Sequence, residues 1–245
     1  MNKKTTEKPQ ELIFGIHPIV ELLKAKKRPL YIVYTTKPTP KSWDLIERLL
    51  PRTVPIQYVT RDVLHRLAGT TDHQGVVAWA APFQIRKKFF EPVRHPFLVM
   101  VDGVQDTRNL GAIIRSAYCT GAQGIIICKK NSAPLNASAI KASAGLAEHS
   151  DIYEAASPAS AVIELKKAGY KIYLAALGGE NALHVAYQEP LCVVIGSEAT
   201  GVSREILTSG LTVMLPQRTP HISYNASVAA GILLFLIATQ TKKIS

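Results

Sequence analysis

Cysteine is scarce in this chain, with three in 245 residues, at Cys119, Cys128 and Cys192. Their odd number, apolar settings and lack of CxxC spacing argue against a disulfide scaffold or a zinc ribbon and fit buried thiols in a reducing cytoplasm. The seven histidines form no H-x-x-x-H pair, so no protein metal site is expected. No apolar run reaches the roughly 18 residues that would read as a membrane span. The opening MNKKTTEKPQ lacks the apolar stretch of a secretory signal. Also missing are a Gly-Lys-Ser/Thr phosphate loop and a G-x-G-x-x-G run after a strand, which disfavours nucleoside-triphosphate and nicotinamide enzymes.

What is present is a substantial apolar fraction, 47%, and a net charge of +11. The first suffices for a real core in one large domain or two small ones. The second suits a polyanionic partner. Its placement is uneven: residues 1–90 carry 16 Lys and Arg against 7 Asp and Glu, whereas residues 91–245 carry 13 against 11. A basic small module ahead of a nearly neutral larger one reads as a nucleic-acid grip joined to a part with another task.

In chain order, residues 1–11 read as a flexible tail. Residues 12–81 alternate helical and strand patterns: IHPIVELL, SWDLIERLL and RDVLHRLAG have helical spacing, and LYIVYTT, VPIQYV and HQGVVAWA read as strands. This predicts a small α/β module. Residues 82–96, with Pro82, Pro92 and Pro96 and the cluster Arg86-Lys87-Lys88, read as a linker. From Phe97 to the end, apolar strands (FLVMV, GIIIC, KIYLAAL, LCVVIG, LTVML) alternate with helical patterns. That predicts an α/β domain with a parallel sheet covered on both faces. Ligands in such sheets bind beyond the carboxyl ends of the strands.

Three strand ends carry the polar residues a site needs: DGVQDTRN, GSEATG and PQRTPHISYN. After the first, Leu110, Ile113, Ile114, Ala117 and Tyr118 form an apolar stripe, and Arg115 lies off it, free to face a cleft or solvent. Asn109, at the helix start, is either an N-cap or a site residue. In the second, Glu198 lies between Gly196 and Gly201, as a loop acid or a partner for an arginine. In the third, SYNAS opens a helix that is apolar almost all round, either as a plain N-cap or as a ligand-holding junction.

The trio NLGAIIRSA, VVIGSEATGVS and LPQRTPHISYNASVAAGILL, in this order, closely resembles the three motifs of the SpoU/TrmH family of SPOUT RNA methyltransferases. GIHPIVELL, HQGVVA and SAPLNASAIKASAGLAEH extend the likeness to the 23S rRNA guanosine-2′-O-methyltransferase subgroup, over nearly the whole chain after the tail. The resemblance implies an S-adenosylmethionine-dependent enzyme that methylates a ribose 2′-hydroxyl of RNA, with tRNA as the rival substrate and an inactive RNA-binding or ribosome-assembly factor as the rival function. It implies a deep trefoil knot in the C-terminal domain, a substrate-binding N-terminal domain, and a cytoplasmic homodimer paired partly through the final helix. By position it assigns Asn109, Arg115, Glu198, Ser223 and Asn225 to catalysis. It assigns Ile195, Gly196, Leu215, Tyr224, Ala226 and Ser227 to the methyl donor. Thr107 stands where many members have proline, and Tyr224 and Ala226 replace a common leucine and valine.

Overall fold

A computed structural model describes residues 9–219 and 223–244. The chain divides into two compact units between Gln84 and Ile85.

The first unit is a four-stranded mixed sheet in the order β1-β4-β2-β3, with three helices. Its elements are β1 (Glu11–Phe14), α1 (Ile16–Ala25), β2 (Leu30–Thr35), α2 (Trp43–Glu47), β3 (Ile56–Tyr58), α3 (Arg61–Ala68) and β4 (Val76–Ala80). Ile16, Ile19 and Val20 are buried on α1, the face that the helical spacing predicts. Gly69, with φ 65°, ends α3 in the left-handed conformation that glycine takes without a steric penalty.

One expectation shifts here. Glu11, assigned to a tail, begins β1, and its carboxylate accepts from the guanidinium of Arg28 at 3.0 Å and from the Phe83 amide at 2.8 Å. Arg28 is itself 4% exposed. A buried guanidinium needs such an anion, so the carboxylate holds β1 in place. The rest of the expected tail, residues 1–8, lies outside the described residues.

The second unit is a six-stranded sheet in the order β10-β8-β9-β5-β6-β7, with every neighbouring pair parallel. It comprises β5 (Phe97–Val101), α4 (Thr107–Cys119), β6 (Gly124–Cys128), α5 (Ala137–Ala142), β7 (Ile152–Ala155), α6 (Pro158–Ala168), β8 (Lys171–Asn181), β9 (Leu191–Ile195), β10 (Leu211–Met214) and α7 (Ala226–Gln240), with 3-10 turns at Leu146–His149 and Arg204–Ile206. The central strands β5, β6 and β9 are buried at every residue, as continuous apolar runs require of a sheet covered on both faces. Leu98, Met100, Ile126, Cys128, Cys192 and Val194 pack with Ala161 and Leu165 of α6. From β5 the chain steps to β6 on one side, while β9 pairs on the other. This reversal is where doubly wound sheets open a crevice.

The expected linker, 82–96, belongs to the second unit from Ile85 onward. Phe90 enters the core at 3% exposure, and Arg86 bridges Tyr153 of β7, pairs with Asp151 at 3.2 Å and lies over the Phe90 ring. Aromatic burial thus outweighs the prolines, and Arg86 is a packing cation.

Candidate active site

The site is built at the carboxyl ends of β5, β8, β9 and β10. Asp102, directly after β5, is 1% exposed, and its two carboxylate oxygens accept from the Ser203 amide at 2.7 Å and the Ser203 hydroxyl at 2.8 Å. The Asp102 amide donates to Ile195 O at 2.8 Å. A buried carboxylate satisfied in this way fixes the far end of the loop that follows β9.

That loop is closed within itself. Ser197 and Gly201 exchange backbone hydrogen bonds at 3.1 and 3.0 Å, and the Ser197 hydroxyl meets that of Thr200 at 2.9 Å. A Cβ on Gly196 would lie 2.2 Å from the Gly201 carbonyl carbon, so only glycine permits the return. Glu198 stands exposed at the tip and accepts a hydrogen bond from the Asn109 amide, 89 residues away in sequence. Asp106, not Asn109, caps α4, accepting from the Arg108 amide at 2.6 Å. The helix therefore starts two residues earlier than the motif alone indicates, and Asn109 sits inside its first turn.

The third motif forms the opposite wall. Asn225 is the N-cap of α7: its Oδ1 accepts from the Ser227 amide at 2.9 Å, the Val228 amide at 3.4 Å and the Ser227 hydroxyl at 2.7 Å. The Tyr224 hydroxyl donates to Pro216 O at 3.3 Å, tying the start of α7 to the end of β10. Pro220, His221 and Ile222 of this motif lie outside the described residues.

Between these walls is a cleft of about 520 Å³. Ile195, Gly196, Leu215, Tyr224 and Ala226 line it, together with Glu198 and Ser223. Asn109 reaches it through Glu198. Ser227, Asn225 and Arg115 are not among its lining residues. Ser227 and Asn225 are occupied with each other in the cap, and Arg115 is exposed on α4, its guanidinium without a hydrogen bond or ion pair among the described residues.

Sequence reasoning missed one wall. Ala175, Ala176 and Leu177 of β8 also line the cleft. Between Leu174, which pairs Thr212, and Glu180, which pairs Val213, residues 175–179 bulge out of the β8–β10 ladder. Gly178, with φ 78°, supplies the bend, and a Cβ on Gly179 would meet the Thr212 backbone at 2.5 Å. The signal was the Gly-Gly pair inside a strand pattern. Nearby, burial and the charges of Asp102 and Glu205 push the Cys128 thiol up to about 12, so it is an inert core group.

A parallel α/β unit with this crevice, carrying a carboxylate–amide pair and a glycine-closed loop, is built to bind a small molecule at its strand ends. The model of the SpoU rRNA methylase family matches residues 96–235, and that of the RNA 2′-O ribose methyltransferase substrate-binding domain matches residues 12–86. The chain is 32% identical over 246 residues to a 23S rRNA (guanosine-2′-O-)-methyltransferase of Shewanella oneidensis, covering 96% of this chain and 99% of that protein. In fold it is similar to the crystal structure of an RNA 2′-O ribose methyltransferase, with a TM-score of 0.83 at 20% identity, covering 95% of this chain and 89% of that one. It is also similar to the SpoU methyltransferase AviRb of Streptomyces viridochromogenes in complex with AdoMet, with a TM-score of 0.80 at 23% identity, covering 96% of this chain and 92% of that one. The chain belongs to the SpoU family of RNA 2′-O-methyltransferases.

Proposed function

We propose that this protein methylates the 2′-hydroxyl of a guanosine in 23S rRNA, working in the cytoplasm as a homodimer whose catalytic domain carries a deep trefoil knot. The observation that carries the reading is the cleft where the second and third motifs face each other across Glu198, Ser223 and Tyr224. Its size is within the range of small-molecule sites, and its lining mixes apolar walls (Leu177, Leu215) with polar edges (Gln217, Ser223), as a nucleoside joined to an amino acid requires. S-adenosylmethionine supplies an electrophilic methyl group on a sulfonium.

The chain's own residues supply alignment and charge stabilisation. In this reading Glu198, held by Asn109, orients the ribose, and Arg115 hydrogen-bonds the developing alkoxide once it is brought to the cleft. A guanidinium with a pKa above ~12 is a poor base at neutral pH, so stabilisation suits Arg115 better than proton abstraction. The homodimer accounts for the final helix: Val228, Ile232 and Phe235 form a stripe on α7 that is 49%, 44% and 60% exposed. An apolar stripe of this kind marks an interface. Arg115 is on the exposed side of α4, the helix on which α7 packs, so pairing would draw it into a less polar setting. The basic N-terminal unit grips the RNA backbone.

The test is to incubate the protein with labelled donor and separate rRNA and tRNA pools, then map the modified ribose. Arg115→Ala should lower turnover at least ~100-fold with calorimetric donor affinity unchanged. Full turnover in that variant overturns the catalytic assignment, and a modified nucleotide outside 23S rRNA overturns the substrate.

A further inference from the structure

A second cleft, of about 400 Å³, opens at the carboxyl ends of β5, β6 and β9, bounded by Asp102, Gln105, Lys130, Pro158, Glu198 and Glu205. It shares the loop 197–201 with the donor cleft, so Glu198 faces both. Two of its three carboxylates are taken: Asp102 by Ser203, and Glu198 by Asn109. The Glu205 carboxylate has no hydrogen bond or ion pair among the described residues, and neither has the Lys130 ammonium. Glu205 is exposed, and the backbone of its 3-10 turn is anchored by Val202 at 4% and Ile206 at 1% exposure.

In any nucleoside the base is joined to C1′, the carbon next to the one that bears the 2′-hydroxyl. A ribose presented to the donor cleft at Glu198 must therefore place its base close by, and across the shared loop lies this second cleft. We infer that it receives the base of the target nucleotide, splayed out of its stack, and selects guanine through Glu205. The two oxygens of a carboxylate match two adjacent donors, and among the four RNA bases only guanine presents them, at N1–H and the N2 amine. Its O6 accepts, as the Lys130 ammonium requires, and Pro158 offers an apolar surface to the ring. Adenine has an acceptor at N1, uracil offers a carboxylate one donor, N3–H, between two acceptors, and cytosine offers only its N4 amine beside the N3 acceptor.

This inference rests on the proposed ribose methylation. It is tested with the full-length protein on a synthetic RNA carrying the mapped target as guanosine or as inosine, which lacks only the N2 amine. Wild-type kcat/KM should fall roughly 5- to 150-fold on inosine, the range for losing one good base contact. Glu205→Gln should be weakened on guanosine and no longer distinguish the two, with unchanged calorimetric affinity for S-adenosylmethionine. Lys130→Ala should raise KM more than it lowers kcat. Equal wild-type efficiency on both RNAs, full discrimination retained in Glu205→Gln, or a mapped target other than guanosine overturns the base pocket alone. Absence of methyl transfer to any RNA by the wild-type protein overturns the enzymatic reading, and the pocket with it.

Discussion

At the scale of single residues, the site depends on a few backbone and side-chain fits. Gly196 is the clearest, since an added Cβ would lie 2.3 Å from the Val202 amide nitrogen, whereas at Gly201, with φ 67°, nothing stands within 4 Å. Gly196→Ala should therefore displace the loop and weaken S-adenosylmethionine binding about 5- to 150-fold, following the roughly 1–3 kcal/mol cost of overpacking. Gly201→Ala should show mainly the ~1 kcal/mol strain of a left-handed alanine. Calorimetric titration of both variants checks the contrast, and equal affinities would remove Gly196 from its role. Glu198 and Gly196 were legible because glycines flanking an acid after a buried strand are unusual. Asp102 was not picked out, because one strand-end aspartate looks like any other until its partner Ser203 arrives from 101 residues away. Arg115 rests on the family resemblance alone, since an exposed helical arginine carries no local signal.

At the scale of elements, α7 combines a cap, a cleft wall and an exposed stripe. Asn225→Ala should cost about 1 kcal/mol in denaturant unfolding, the usual loss of a helix N-cap. Asn225→Asp, which keeps the accepting oxygen, should retain stability. If Asn225 acts on substrate beyond capping, the aspartate variant will lose turnover at wild-type stability, and methyl-transfer assays on the two variants separate the roles. Most elements followed from periodicity, because the central strands are apolar throughout and their helices are amphipathic. Two strands escaped it. β1 is four residues directly after a polar segment, and β7, IYEA, is a short edge strand with a partly exposed Glu154. Both are held by pairing to neighbours distant in sequence, which no local pattern encodes.

At the scale of the whole molecule, the surplus of positive charge and the apolar stripe on α7 make separate demands on partners. Ile232→Glu should convert the proposed dimer to monomer in sedimentation and lower methyl transfer while the helical signal persists. A dimer that survives the substitution would place the interface elsewhere. The units were legible as a basic and a neutral part that divide within the proline-rich segment, but the fate of that segment was not, because aromatic packing of Phe90 carries most of it into the second unit. The bulge of β8 has a consequence for how such a protein changes over time. Residues 176–179 are released from both neighbouring ladders, leaving peptide groups of the cleft wall to meet a ligand. Peptide groups are the same whatever side chain they carry, so a wall of main chain can keep its ligand while most of its side chains drift. Side chains along this stretch of β8 are thus free to change, and the glycines that shape it, Gly178 and Gly179, are the positions least free to vary.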